Sequence, residues 1–131
     1  MALLDGLTTY LASLGIGTSG VSLFIGTMPM SPDTCVSLHH RGGDRPIRTM
    51  GPHSAPPIAD VYTIQAVVRG GTTPLANALQ LAIINALDHW SGMAGSTQVL
   101  YSELAYPVVD VGRDENGRTM QSVVFNIRAA R

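Results

Sequence analysis

Leu3, Leu4, Leu7, Leu11 and Leu14 recur at spacings of three and four, the period of a short amphipathic helix, and Gly15 marks its stop. Residues 21–27 read as a strand halted by Met28-Pro29. Residues 34–41 then alternate, with Val36 and Leu38 on one side and Cys35, Ser37, His39 and Arg41 on the other. Such alternation predicts a strand with one buried and one wetter face. Residues 42–57 carry four prolines, three glycines, Arg45 and Arg48, and predict a long loop, mobile in isolation and ordered by a neighbour. Alternation resumes over 59–69: Tyr62, Ile64, Ala66 and Val68 form an apolar face, and Val61, Thr63, Gln65, Val67 and Arg69 a mixed one.

Thr73 is the expected N-cap of a second helix, with Pro74 at its first position, where a missing N–H costs nothing. Leu75, Leu79, Ala82, Ile83, Ala86, Leu87 and Trp90 hold one face for about four turns, and Gly92 is the expected terminator. Leu81 and Ile84 fall off that stripe and point to a second contact surface. Residues 97–106 predict another strand. Val108-Val109-Asp110-Val111 follows and runs into Gly112-Arg113-Asp114-Glu115-Asn116-Gly117-Arg118. The strand 120–128 then returns, so Asn116-Gly117 marks a hairpin. In that last strand Gln121, Val123, Phe125 and Ile127 alternate against Met120, Ser122, Val124, Asn126 and Arg128. The order predicts an α+β fold over residues 1–131 as a single domain: a twisted, mainly antiparallel sheet with two helices packed on it.

Candidate chemistry is sparse. Gly15-Ile16-Gly17-Thr18-Ser19-Gly20 matches a dinucleotide-binding pattern by letter, but that chemistry needs a strand before it and a helix after it. Here a helix precedes and a strand follows, so a plain turn is the reading. Four histidines and Cys35 show no close-spaced ligand pair, so no metal site is expected. A GxSxG nucleophile elbow is absent, and the phosphate-binding loop lacks its lysine. Asp110, Asp114 and Glu115 cluster at the hairpin, where a solvated turn beside Arg113 and Arg118 is the reading. No catalytic residue, no cofactor and no enzymatic activity are expected.

Charge changes the picture more than motifs do. Only 13% of residues are charged, against about 25% in typical soluble domains. All eight basic residues are arginine. Lysine guards exposed sheet edges, whereas arginine is favoured in interfaces, so a lysine-free, weakly charged surface suits a chain covered by partners. A net charge of −1 predicts no strong grip on DNA phosphates. The lone cysteine fits a reducing compartment, the N-terminus lacks a basic secretory start, and no apolar run reaches the roughly 18 residues of a membrane helix.

The stretch Leu14-Gly15-Ile16-Gly17 leads into Leu23-Phe24-Ile25-Gly26-Thr27-Met28-Pro29. Together with Gly42-Gly43 and the proline-rich loop, the long strand, the alanine-rich helix and the Gly-Arg-Asp-Glu-Asn-Gly-Arg turn, it resembles bacteriophage minor capsid proteins of the tail-terminator type. The resemblance implies a structural virion protein of a long-tailed double-stranded DNA phage. Such a protein forms a hexameric ring that caps the tail tube, stops its polymerisation and joins the tail to the head connector. Implied partners are other copies of itself, the tail tube protein and head connector or head-completion proteins, with DNA passing through the lumen unbound and no membrane contact. Implied locations are the virion neck and, during assembly, the host cytoplasm. A connector-side completion protein and, in a different class, a small-molecule-binding regulatory module stand as alternatives. Candidate assembly-interface residues are Val67 and Arg69 on the mixed strand face, Arg45 and Arg48 in the proline-rich loop, and Arg113, Asp114 and Arg118 at the hairpin.

Overall fold

The computed structural model describes residues 2–47 and 59–130. Two helices, α1 (Ala2–Ser13) and α2 (Thr73–Leu87), accompany seven strands: β1 (Leu23–Ile25), β2 (Cys35–Ile47), β3 (Ala59–Gly70), β4 (Trp90–Ala94), β5 (Thr97–Leu104), β6 (Val109–Arg113) and β7 (Thr119–Ala130). All seven belong to one sheet of order β1-β2-β3-β7-β5-β4, with β6 also on β7. Only β1 and β2 run parallel; every other pair is antiparallel. The expected α+β class, mainly antiparallel sheet and two helices are therefore present.

β3 and β7 form the spine. Their ladder runs unbroken from Ala59↔Ala130 to Gly70↔Thr119. On the far edge of β7, β5 takes the Phe125-to-Ala129 half and β6 the Thr119-to-Ser122 half, so the two lie end to end. Between them Ala105 N–H still donates to Val124 O at 2.8 Å. Register shifts interrupt β2, β4, β5 and β6, and such bulges bend a strand and increase its twist.

The helices occupy one face of the curled sheet. Leu3, Leu4, Leu7 and Leu11 of α1 are buried, as their spacing predicts, while Leu14 lies past the helix end and is exposed. α1 touches β1 and β2 near one edge of the sheet and β4 and β5 near the other, so it bridges the gap the curl leaves. The approach is close: a Cβ on Gly6 would lie 2.0 Å from Ala94 O. α2 lies on β3, β7 and β5, burying Ala76, Ile83, Ala86 and Leu87 against Ile64, Ala66, Val68, Val123, Phe125 and Ile127. Each of the valine, leucine, isoleucine and phenylalanine side chains contributes about 1.5–3 kcal/mol when fully buried.

Several expectations change. The N-cap of α2 is Thr72, whose hydroxyl accepts from Leu75 N–H, and Thr73 is already helical. The helix ends at Leu87, short of Trp90 and Gly92. His89 turns the chain with φ 54°, and residues 90–94 form a strand that the helical spacing of Trp90 disguised. Trp90 instead stacks on Tyr10 of α1 with ring centroids 4.1 Å apart, and Tyr10 Oη donates to Ala86 O. The strand read over 21–27 shrinks to β1. Of the loop predicted over 42–57, residues 42–47 continue β2 against β3, and the expectation of mobility over 48–57 lies outside the described residues.

Replacing Gly6 with alanine forces α1 off β4. Overpacking of this kind costs about 1–3 kcal/mol, so Gly6→Ala should lower the urea midpoint with little change in slope. An unchanged midpoint would show the contact to be loose.

A candidate assembly surface on the open face of the sheet

Alternation assigns Ile64, Ala66, Val68, Val123 and Phe125 to the helices and leaves Thr63, Gln65, Val67, Arg69, Met120, Ser122, Val124, Asn126 and Arg128 on the opposite, open face. β2 adds Cys35, Ser37, His39 and Arg41 to that face. Its polar side chains pair in rows: Arg41 donates to Gln65 Oε1 at 2.6 Å, Gln65 Nε2 donates to Ser122 Oγ at 2.7 Å, and Thr63 Oγ1 donates to Asn126 Oδ1 at 3.1 Å.

One end of the face is covered by the connection between β1 and β2, residues 26–34. Parallel neighbours cannot be joined by a tight turn, so the chain must cross the sheet before β2 begins. Two arginines hold it there. Arg69, from β3, donates through Nε to Asp33 O at 3.2 Å and through Nη2 to Pro32 O at 2.5 Å. Arg118, at the foot of the β6–β7 hairpin, donates to Met30 O and, at 3.2 Å, to Asp33 Oδ1. Both arginines are buried, as are Cys35 and Ser37 beneath the connection, and Ser37 Oγ donates to Thr27 O. Burial raises the Cys35 thiol pKa against the lowering influence of Arg69 and Arg118.

The hairpin tip is built around Asp114. Gly117 N–H donates to Asp114 O and Asp114 N–H to Arg118 O, each at 3.0 Å. Only Gly117 takes positive φ, at 74°, so this is a type I turn followed by a glycine bulge rather than a two-residue turn. Asp114 Oδ1 accepts from the backbone of Asn116 and Arg118, and Oδ2 from Arg118 Nε at 2.6 Å. Burial pushes the Asp114 carboxyl pKa up, but these hydrogen bonds and the Arg118 charge outweigh it and hold the pKa below its ordinary value. For Arg118, burial lowers the pKa, and the bonds and charges of Asp114 and Asp33 raise it further than burial lowers it.

Beyond the connection, the open face forms a groove of about 450 Å³ lined by Arg41, Thr63, Gln65, Tyr106, Val109, Val111, Ser122 and Val124. Tyr106, Val109 and Val111 are 62%, 55% and 59% exposed, an uncovered apolar wall along β6. Val67 lies half-buried on this face.

Of the residues singled out from sequence, Val67 and Arg69 do share one face, and Arg69 is brought near Arg118 and Asp114 by the connection. Arg69 and Arg118 nevertheless spend their donors inside the subunit. Arg113 is exposed and, among the described residues, its side chain reaches Gly117 O at 3.5 Å. Arg45 lies in β2 by its backbone, and Arg48 lies outside the described residues. His89 lies past the end of α2, and its Nδ1 bonds Tyr101 Oη at 2.5 Å. The groove wall escaped sequence reasoning, although Pro107 before an unalternating Val-Val-Asp-Val run is the mark of a broken edge strand. Among the described residues no three His, Cys, Asp or Glu side chains gather to hold a metal ion, and no helix is long and apolar enough to cross a membrane.

A family model for bacteriophage tail terminator proteins matches residues 10–131. The chain belongs to that family and is a structural protein of a phage tail. Among solved structures it is similar to a chain of the virion of a native gene transfer agent particle. The two share 18% identity over 92% of this chain and 84% of that one, with a TM-score of 0.57, a likeness of fold. A comparison with curated protein sequences gives no match.

Removing the Arg69 guanidinium strands two carbonyl contacts, so Arg69→Ala should cost about 1–3 kcal/mol of subunit stability, read by urea unfolding. Unchanged stability would show the connection to hold itself. Asp114→Asn gives a pH test. A carboxylate with a lowered folded-state pKa stabilises above its unfolded value of about 3.9, and that stability is lost as pH falls through the folded pKa. The stability gap between wild type and Asp114→Asn should be full near pH 6 and close as pH drops below 3.9. A constant gap would exclude the ion pair as its cause.

Proposed function

We propose that identical copies of this chain assemble into a six-membered ring that caps the tail tube, stops its polymerisation and joins the tail to the head connector. The observation that carries this reading is the tail terminator family match, which spans residues 10–131. The likeness of fold to a chain of a gene transfer agent virion fits assembly with other virion proteins.

The physical logic is one of closure. A tube grows because each layer exposes a surface complementary to the next, and an open head-to-tail contact continues without limit. A terminator accepts the last layer on one rim and lacks the repeating surface on the other, while in-plane contacts close the ring. The β3–β7 ladder supplies a stiff frame for this. The β6–β7 hairpin tip projects from the frame as a candidate for rim contacts with the tube protein or the connector, and Arg48 stands beside it as a candidate on its sequence position alone. A net charge of −1 suits a lumen through which DNA slides without being held, and assembly precedes this in the host cytoplasm.

Arg69 and Arg118 drop out of the interface set because their guanidinium groups are engaged within the subunit, whereas Val67 and Arg113 remain in it. Negative-stain images of the protein with purified tail tubes should show six-fold annuli at tube ends, and added protein should arrest elongation. Tubes that lengthen equally with and without it would overturn the reading.

A further inference from the structure

Resting on the ring reading, a second question is which two surfaces of one subunit meet its neighbours. A ring contact is heterologous, so it needs two different, complementary patches on one molecule. Two uncovered apolar features lie on opposite faces of the sheet. The first is the outer side of α2. This helix of 15 residues contains no charged side chain. Leu75 and Leu81, 51% and 56% exposed, flank Ala78 at three-residue intervals and form one ridge. The second is the open-face groove, walled by Tyr106, Val109 and Val111 and floored by Thr63, Gln65, Ser122 and Val124.

Charge gives the pair a direction. Among the described residues Arg41 is the one cationic side chain lining the groove; it contacts Gln65 and makes no ion pair with any of them. The last turn of α2 has no basic residue and is capped by Asp88, so that end of the helix is electronegative. A charge-free ridge loses no ion hydration on entering the groove, and its negative end can face the guanidinium.

We propose that the Leu75–Ala78–Leu81 ridge of one copy seats in the Tyr106–Val109–Val111 groove of the next, with Arg41 toward the C-terminal end of the neighbour's α2. Because the two patches lie on opposite sides of the sheet, the contact repeats from copy to copy and leaves the hairpin tip outside it.

Cross-linking tests this. Cys35 is fully buried, so Leu81→Cys and Val109→Cys each add the only accessible thiol. With wild-type annuli on tail tubes as the reference, a short bis-maleimide should join an equal mixture of the two variants into mixed dimers. It should join neither variant to itself, and a chain carrying both changes should give a ladder ending at the ring number. Normal annuli without the mixed product, or a Leu81→Cys product with itself, would overturn this pairing and leave the ring reading standing. Absence of annuli from the wild type would overturn both. Leu81→Arg should weaken ring assembly by at least about tenfold while leaving the urea midpoint of the subunit near wild type; intact assembly would count against the ridge.

Discussion

The leucine face of α1 is the constraint on which the rest depends. Leu3, Leu4, Leu7 and Leu11 pack where the two edges of a curled sheet come toward each other, and the helix can sit there only because Gly6 has no side chain facing Ala94. Without that helix, the β1–β2 and β4–β5 edges would leave the apolar residues between them open to water. The groove beside β6 opens on the opposite face of the same sheet.

The second organising element is electrostatic. Two arginines from β3 and the hairpin foot converge on the connection between β1 and β2, with Asp114 and Asp33 beside Arg118. Buried cations are costly unless their donors are met, and here three main-chain oxygens and two carboxylate oxygens accept from them. The arrangement ties three distant parts of the sequence at one end of the sheet and fixes the hairpin tip relative to the spine. Asp114 joins turn and clamp, bonding backbone N–H groups with one oxygen and the guanidinium with the other.

Strict alternation made β3 and β7 legible from sequence, and both faces of each came out as read, because a period of two leaves no freedom once one face is buried. β4 was hidden because Trp90 continues the helical spacing of Ile83, Ala86 and Leu87. Its stacking on Tyr10 and the turn at His89 override local propensity. The far half of β2 was hidden because Gly42, Gly43 and Pro46 read as loop, whereas pairing with β3 carries the strand across two register shifts. The face bearing Val67 and Arg69 was correctly separated from the core. The engagement of Arg69 was not legible, since no periodicity reports that residues 26–34 fold across it. Arg113, Asp114 and Arg118 were grouped correctly as a hairpin, but their proximity to Met30 and Asp33 is a tertiary fact with a sequence separation of more than 80 residues.

The arginine grip on the crossover has an evolutionary corollary. Guanidinium groups that hold peptide oxygens are largely indifferent to the side chains attached there, so the exposed Met30 is free to be exchanged without loosening the hold. This segment can therefore drift in sequence, and with it whatever chemistry it displays outward, while its path stays constant. A lineage changing hosts or partners has a place to experiment that puts little of the scaffold at risk.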